Sequence, residues 1–376
     1  MKTFTLSPAN HCYLKTQISP RTKPLNTNLF QSSGHQYQKP SNKTRSIPFL
    51  TVQSAESSKS AVVENLNKPP LVVVGSANFD LFVEIDRPPK IGETVSAKTG
   101  QTLAGGKGAN QAVCSGKLSY PTYFVGQVGE DAYGNLILDA LKNGGVCVDN
   151  VRNVHGVPTG HAVVMLQSDG QNSIIIVGGA NMSGWPERLS DEDLKIVKNA
   201  GIVLLQREIP DSVNIQVAKA AKSAGVMVIL DAGGMDAPLP EELLNAVDMF
   251  SPNETELGRI TGMPTEGYEQ ISQAALKCHK MGVKQVLVKL GSKGSALFVE
   301  GNNPINQPII PAPRVVDTTG AGDTFTAAFA VALMEGKPIK DCMRFAAAAA
   351  SLCIRVKGAI PGMPDRSSVV DLLHSI

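Results

Sequence analysis

Short apolar runs alternate along the chain with segments whose apolar residues recur at helical spacing. Residues 71–74 are continuously apolar and end at Gly75, as expected of a strand buried on both faces of a parallel sheet. Strands are further predicted at 202–205, 226–230, 249–250, 285–289 and 295–299, and helices at 211–224, 241–247, 255–261, 268–281, 321–334 and 341–354. Strands that alternate with helices predict an α/β fold with a mainly parallel sheet.

Four early segments have a different pattern, in which apolar and polar residues alternate. They cover residues 81–86, 94–103, 159–167 and 173–177, and a turn at 168–170 is predicted to join the last two. Alternation predicts strands with one open face, and these segments do not fit βαβ units. We therefore expect a small β-sheet that stands off the main body as a lid, at about 81–103 and 159–177.

The charges of the chain are unevenly distributed, although its 376 residues have a net charge of only +2. Residues 1–55 contain seven Lys or Arg, fourteen Ser or Thr and no acidic residue, which leaves 28 basic and 33 acidic residues and a charge of −5 for the rest. A basic, hydroxyl-rich segment without acidic residues is typical of an organelle transit peptide. We assign residues 1–60 to a disordered transit peptide, with a plastid favoured over a mitochondrion and an ordinary disordered tail as the alternative.

Several classes of protein are disfavoured by the charge, the apolar runs and the cysteine spacing of the chain. The negative charge of residues 56–376 argues against binding of nucleic acid. The longest strongly apolar run, about 345–354, is shorter than the roughly 18 residues that a membrane-spanning helix needs. The six cysteines form no CxxC pair and have no histidine at zinc-finger spacing, so reduced and mostly buried thiols are expected.

A glycine-rich turn precedes the predicted helix at 321–334, in the segment DTTGAGDTF that covers residues 317–325. Glycines at the start of a helix let backbone N–H groups face a ligand, and the helix dipole favours an anion there. Asp323 lies in the same turn and would repel an anion. Its position is understandable if it takes a proton from a hydroxyl that attacks a phosphate held by the turn. The alternative is that Asp323 caps the helix.

A second glycine-rich segment, GGKGANQA at 105–112, also opens a predicted helix. Lys107 and Asn110 are three residues apart, so both side chains can point to one side of a helical turn. Such groups beside exposed backbone suit a polyol or sugar better than an apolar ligand. The chain has no GxxxxGK[ST] sequence, which excludes a Walker A loop. A glycine-rich connector with a surface lysine is the alternative.

Further polar side chains follow predicted strands, at the end of the sheet where α/β proteins bind ligands. Asn78 and Asp80 follow the first strand, and Glu208 follows the strand at 202–205. Asn253 and Glu256 follow Pro252, and their spacing also fits a helix capping box. An Asx-turn is the alternative for the first pair.

Together these motifs resemble the ribokinase family of small-molecule kinases, the PfkB carbohydrate kinases, from about residue 71 to the C-terminus. GGKGAN and DTTGAGDTF, in this order and about 210 residues apart, are highly specific for that family. The added GSxNxD and PNETE segments favour a ribose-specific member over one acting on fructose or adenosine. The resemblance implies a three-layer α/β/α domain with a β-sheet lid, a homodimer that clasps through its lids, and ATP-dependent phosphorylation of the 5-hydroxyl of D-ribose. A kinase for another sugar or nucleoside, or a non-catalytic structural member, is the alternative.

The resemblance also implies roles for individual residues. Asp323 matches the catalytic base, and the anion hole is matched by Gly320, Ala321 and Gly322. Ribose-contacting positions are matched by Asn78, Asp80, Gly106, Lys107, Asn110 and Glu208. Nucleotide-contacting positions are matched by Asn253, Lys289, Gly291 and Gly322, and Glu256 matches the residue that organises Mg²⁺ through water.

The family also uses a monovalent cation, usually K⁺, next to the anion hole. The matching positions in this chain are Asp317, Thr319, Cys353, Val356, Gly358 and Gly362. Many members have Ser where this chain has Gly362, so one side-chain oxygen is missing here.

Overall fold

A computed structural model of the protein describes residues 68–167 and 172–376. The segment assigned to a transit peptide and the predicted turn at 168–170 lie outside the described residues. In the described part the strands, in chain order, are β1 (Leu71–Val74), β2 (Asn78–Ile85), β3 (Thr99–Gly105), β4 (Thr122–Gly129), β5 (Val146–Val154), β6 (Gly160–Gln167), β7 (Asn172–Val177), β8 (Ile202–Arg207), β9 (Met227–Gly234), β10 (Met249–Ser251), β11 (Gln285–Lys289), β12 (Ser295–Val299) and β13 (Ile305–Gln307).

The α-helices are α1 (Lys107–Lys117), α2 (Ala132–Asn143), α3 (Asp191–Lys198), α4 (Asp211–Ser223), α5 (Glu241–Leu244), α6 (Glu254–Thr261), α7 (Tyr268–Lys280), α8 (Ala321–Met334), α9 (Ile339–Cys353), α10 (Ala359–Gly362) and α11 (Arg366–His374). Two short 3₁₀ turns cover Gly179–Asn181 and Gly291–Lys293. Within the described residues, no helix is both long and apolar enough to cross a membrane.

The main sheet has nine strands in the order β13-β12-β11-β10-β9-β8-β1-β4-β5. Strand β1 lies between β8 and β4 and is parallel to both, with Leu71 opposite Ile202 and Thr122. Among the described strands of this sheet, the antiparallel pairs are β11–β12 and β12–β13. The carboxyl ends of the parallel strands therefore meet at one edge of the sheet, where the polar residues of the next section are found.

Alternate side chains of β1 enter two separate cores, because successive residues of a strand point to opposite faces. Leu71 and Val73 pack with residues of α1, α2, α8, α9 and α11. Val72 and Val74 pack with residues of α3, α4, α5, α6 and α7. The sheet is thus covered by helices on both faces, which confirms the predicted three-layer α/β/α fold.

A second, four-stranded sheet has the order β3-β2-β6-β7 and is separate from the main sheet. Its own apolar cluster is small and consists of Phe82, Ala162 and Val164 with Leu103 packed against them. The apolar side chains of β7 are largely exposed instead, with Ile174, Ile175 and Ile176 each more than half accessible. The small sheet predicted from the alternating pattern is confirmed.

Several predicted boundaries are wrong, and hydrogen-bond partners explain the differences. Strand β2 begins at Asn78 rather than 81 because its first residue already pairs with Gly105 and Gly160. Residues 94–98 are not strand, since β3 begins at Thr99, the partner of Glu84. The helix predicted at 241–247 ends at Leu244, where the chain turns towards β10. Seven of the strands and α-helices described here have no predicted counterpart, namely β4, β5, β13, α2, α3, α10 and α11.

Candidate active site

The first turn of α8 leaves two backbone donors free. Gly320 precedes the helix with a φ of 79°, and a Cβ atom there would lie 2.6 Å from the Cβ of Ala359, so only glycine fits. The amide of Thr324 donates to the carbonyl of Gly320, but within the described residues the N–H groups of Gly322 and Asp323 have no acceptor. Two free N–H groups at the positive end of a helix dipole form an anion site.

The side chain of Asp323 lies at this anion site and is 7% exposed. Asn110 Nδ2 donates to Asp323 Oδ2 over 2.8 Å, and Lys107 Nζ lies 3.5 Å from Oδ1. Gln111 Nε2 is a further, weaker donor at 3.5 Å. Helix α8 has no side-chain cap, so the alternative that Asp323 caps it is wrong. The first turns of α1 and α8 instead place the Asp323 carboxylate beside the ammonium group of Lys107 and the side-chain amides of Asn110 and Gln111.

Helix α1 reaches this position because its entry is packed against the start of β2. Gly106 has a φ of 89°, and a Cβ atom there would lie 2.7 Å from the backbone nitrogen of Asn78. The next residue, Lys107, donates its backbone N–H to Glu208 Oε2 over 3.0 Å, and Ser76 Oγ donates to the same oxygen over 2.5 Å. Burial raises the pKa of Glu208, while Lys107 opposes that rise.

Asp80 is a third carboxylate of the same group. Burial, followed by the charges of Glu208 and Asp323, raises its pKa from 3.8 to about 7. Three carboxylates are thus held near one another at the carboxyl edge of the sheet. Like charges that are buried together repel, so an opposite charge has to be nearby.

Asp231, in the second half of β9, was missed by the sequence analysis. It is fully buried, and Lys289 Nζ donates to its Oδ2 over 2.7 Å while Lys107 Nζ lies 3.6 Å from Oδ1. Thr326 Oγ1 also donates to Oδ2 over 3.2 Å. Burial alone would raise the pKa of Asp231, but the two lysines hold that pKa well below its usual range. Glu208 was identified because it is a polar residue just beyond a predicted strand. The same rule would have found Asp231, which lies one residue beyond the strand predicted at 226–230.

Asn253 and Glu256 form the capping box of α6. Asn253 Oδ1 accepts from the amide of Glu256, and Glu256 Oε2 accepts from the amide of Asn253, both over 2.8 Å. Glu256 nevertheless belongs to the charged group, because it is one of the carboxylates that raise the pKa of Lys107 well above its ordinary value against the effect of burial. The capping interpretation and a position in the site are therefore compatible.

Lys289 connects this region to the anion site. Its backbone bridges to Asn253, and a Cβ atom added to Gly322 would lie 3.7 Å from Lys289 Cδ. Gly291 opens the 3₁₀ turn that follows, with a φ of 52°. The structure thus brings Asn253, Lys289 and Gly322 to one side of the free helix N-terminus.

Two segments, 317–319 and 353–362, contain the residues predicted to bind a monovalent cation, and Asp317 joins them into one loop next to the same turn. Asp317 Oδ1 accepts from the amide of Thr319 over 2.9 Å, and its Oδ2 accepts from the amide of Gly358 over 2.8 Å. Cys353 Sγ lies 3.8 Å from the carbonyl oxygen of Thr319. A Cβ atom on Gly362 would lie 2.6 Å from the carbonyl oxygen of Cys353. Val356 lies on the exposed rim of this loop.

The donor set of this loop fits a cation such as K⁺, because its oxygens are backbone carbonyls and one carboxylate. A side chain at position 362 would press on one of those carbonyls, so Gly362 leaves that space open. For Mg²⁺ the described residues offer no cluster of three or more acidic, histidine or cysteine side chains. A magnesium ion held through water and phosphate oxygens fits that arrangement.

A model of the pfkB family carbohydrate kinases matches residues 68–366. The chain belongs to the pfkB family of carbohydrate kinases. It is 71% identical over 335 residues to a ribokinase of Arabidopsis thaliana, with 88% of each chain covered, and 39% identical over 304 residues to a ribokinase of Bacillus subtilis, covering 81% of this chain and 99% of the relative.

Solved structures agree with this family assignment. The Arabidopsis thaliana ribokinase complexed with ribose and ATP has a TM-score of 0.79 and 75% identity, over 81% of this chain and 99% of that one. The ribokinase of Thermotoga maritima has a TM-score of 0.73 and 34% identity, again over 81% and 99%. The resemblance stated from the motifs is confirmed at the level of family and fold.

Replacing Asp80 by Asn is expected to stabilise the protein in a pH-dependent way. The unfolded chain titrates Asp80 near 3.8 and the folded protein near 7, so stability falls as the pH rises between these values and the full penalty remains above about 7. Thermal unfolding should show a higher Tm for Asp80→Asn near pH 8, at roughly 2–4 °C per kcal/mol relieved, and almost no difference near pH 4.

The matched control is Asp86→Asn, which removes an exposed carboxylate just beyond β2. It should give no comparable gain at either pH. An Asp80→Asn gain of the same size at both pH values would contradict a raised pKa of Asp80.

Proposed function

We propose that this protein transfers the γ-phosphoryl group of ATP to the 5-hydroxyl of D-ribose and releases D-ribose 5-phosphate. The observation that carries this proposal is the buried carboxylate of Asp323 beside two unpaired backbone donors of a helix N-terminus. The carboxylate can accept a proton, while the backbone N–H groups can hold the phosphoryl group that is transferred. The high identity to a ribokinase of Arabidopsis thaliana supports ribose as the sugar.

Asp323 is proposed to orient the sugar hydroxyl and to take its proton. An alcohol is a weak nucleophile, so a carboxylate within hydrogen-bond reach lowers the cost of attack. Asn110 fixes one carboxylate oxygen, which leaves the other to face the hydroxyl near Lys107. In the anion hole predicted at Gly320, Ala321 and Gly322, the N–H of Ala321 already donates to the carbonyl of Thr318 over 3.2 Å. The free N–H groups of Gly322 and of the next residue, Asp323, together with the dipole of α8, would stabilise charge on the transferred group.

The sugar is proposed to lie between the two glycine-rich segments. Asn110 Oδ1 is buried without a hydrogen-bond partner in the described residues, so a hydroxyl of the ligand can donate to it. The carboxylates of Asp80 and Glu208 offer further acceptors to adjacent hydroxyls. The full set of proposed sugar contacts is Asn78, Asp80, Gly106, Lys107, Asn110 and Glu208.

The nucleotide is proposed to approach from the side of α6 and β11. Lys289 and the N–H of Gly322 would meet its phosphates, with Asn253 and Gly291 beside it. Mg²⁺ would bind with ATP and neutralise phosphate charge, and Glu256 is proposed to hold the ion through water. Lys289 then exchanges part of its pairing with Asp231 for the phosphates.

The substrate is tested by a coupled assay of ATP consumption with ribose, fructose and adenosine as acceptors. Ribose should give the highest kcat/KM. Asp323→Asn should lower kcat by at least ~10³-fold while ribose and ATP still bind, because only proton transfer is removed. Asp86→Asn is the control and should keep normal turnover. Preference for another acceptor would refute ribose, and a largely active Asp323→Asn enzyme would refute the base.

We further propose that K⁺ occupies the loop formed by Asp317, Thr319, Cys353, Val356, Gly358 and Gly362. Asp317 joins the two halves of this loop and lies three residues before Gly320. A bound cation would therefore order the turn that carries the free N–H groups. Its positive charge would add to that of the helix dipole.

Activity should be several-fold higher in KCl than in choline chloride of equal ionic strength. Asp317→Asn should raise the K⁺ concentration needed for half-activation by about tenfold, because one charged ligand is lost. Ribose titrations in both salts show whether the effect lies in kcat or in KM. Equal rates in the two salts would contradict a functional cation site.

A homodimer that forms through the small sheets is also proposed. Strand β7 is an edge strand, and exposed apolar edge strands are sites of association. Ile175→Lys should therefore shift the protein towards monomer in light scattering at micromolar concentration. Leu276→Lys places the same charge at an exposed apolar position of α7 and should not. A dimer unaffected by Ile175→Lys would place the interface elsewhere.

Residues 1–60 are proposed to direct the protein to a plastid, with a mitochondrion as the alternative. The support is compositional, namely the basic and hydroxyl-rich sequence without acidic residues up to Ala55. Removal of this segment would leave the acidic part of the chain that contains the kinase domain, 68–376.

A further inference from the structure

Asn181 lies outside every motif of the sequence, at the end of the 3₁₀ turn that follows β7. Its side chain is almost fully buried and pairs with both backbone groups of Ala77. Asn181 Oδ1 accepts from the amide of Ala77 over 2.9 Å, and Nδ2 donates to the carbonyl of Ala77 over 3.1 Å. This pairing connects the segment after β7, where the chain leaves the small sheet, to the residue before β2, where the chain enters it.

The same amide fixes the orientation of Asn78. A backbone N–H only donates and a carbonyl only accepts, so the pairing with Ala77 determines which atom of Asn181 is Nδ2. That nitrogen lies 2.6 Å from Asn78, and the Asn78 atom that it meets must therefore be the acceptor Oδ1. The Nδ2 of Asn78 then points elsewhere, and it makes no hydrogen bond to the described residues.

The two amides are closely packed from several sides. A Cβ atom on Gly160 would collide with Asn181 Nδ2 and would lie 2.5 Å from Asn78 Oδ1. On the other side, the α1 entry at Gly106 approaches the backbone of Asn78. The carbonyl of Asn181 is itself held by Trp185 Nε1 over 2.7 Å. The first residues of β2 and β6 and the last residue of β3 thus meet at this pair of amides.

We propose that Asn181 is a positioning residue for the sugar site, acting through Asn78. Because Asn78 Oδ1 accepts a hydrogen bond from Nδ2 of Asn181, the side chain of Asn78 presents its donor Nδ2, and no acceptor, to the pocket. The hydroxyl oxygen that meets Asn78 is then bound as an acceptor, while the carboxylates of Asp80 and Glu208 accept from other hydroxyls. This inference rests on the proposed function, since it requires that Asn78 faces the sugar.

The test replaces Asn181 by Asp, which has nearly the same shape but no N–H donor. An ionised Asp keeps the bond from the Ala77 amide and forces the Asn78 amide to turn, so that Oδ1 faces the pocket. Calorimetry at about pH 8.5, where the new carboxylate is charged, should show ribose binding weakened by about tenfold or more. ATP binding should stay within about twofold, and kcat at saturating ribose should change less than KM.

Asn214→Asp is the matched control, because Asn214 is also fully buried and donates its amide, to the carbonyl of Gln206, away from Asn78. It reports the cost of placing a carboxylate in the core and should not weaken ribose selectively. The chain has one tryptophan, Trp185, so its fluorescence shows whether the turn at Asn181 is intact in each variant.

The ribose titration of the wild-type protein tests the proposed function separately. If the wild-type protein does not bind ribose, the proposed function is refuted and the role of Asn181 is not the cause. Given wild-type binding, unchanged ribose affinity in Asn181→Asp overturns the inference. So does an equal loss for ribose and ATP. If Asn181→Asp does not fold, Asn78→Asp decides, since it keeps Asn181 but presents an acceptor to the pocket. It should lose ribose affinity to the same extent, and retained affinity overturns the inference.

Discussion

Lys107 lies between two buried carboxylates, 3.5 Å from Asp323 Oδ1 and 3.6 Å from Asp231 Oδ1. A buried carboxylate without a partner is costly, so neither acid is tolerated unless α1 delivers this lysine and β11 delivers Lys289. The four residues come from α1, β9, β11 and α8, and the site exists only when all four elements have packed. The same charges hold the Asp323 carboxylate of α8 in place.

The lysines do not offset the charge of every buried carboxylate in the site. The carboxylates that remain without a lysine partner fit the proposed chemistry. Burial, with the charges of Glu208 and Asp323, keeps the pKa of Asp80 raised to about 7, and burial keeps the pKa of Glu208 raised although Lys107 opposes that rise. Sugar hydroxyls can donate to such carboxylates, and a phosphate can take over the contacts of Lys289. The free N–H groups of Gly322 and Asp323 are likewise unpaired donors. Stability is therefore lower at the positions where a ligand would supply the missing partners.

Much of the site was predictable because its residues follow a rule that operates locally. Polar residues just beyond β1 and β8 and in the two glycine-rich turns were identified, and the structure brings Asn78, Glu208, Asn110 and Asp323 together. Asp231 obeys the same rule, since it directly follows the strand predicted at 226–230, yet it was not identified. Asn181 gave no local signal, since its partner Ala77 is 104 residues away in the chain.

The sequence by itself determined the α/β class, the separate small sheet and the family, because hydrophobic periodicity and glycine spacing are properties of adjacent residues. Only the tertiary structure decided where β2 and β3 begin, since a strand continues only as far as a partner offers hydrogen bonds. It also decided that Asp323 meets Asn110 rather than capping α8. Those contacts join residues 213 positions apart, and no local pattern encodes a distance between them.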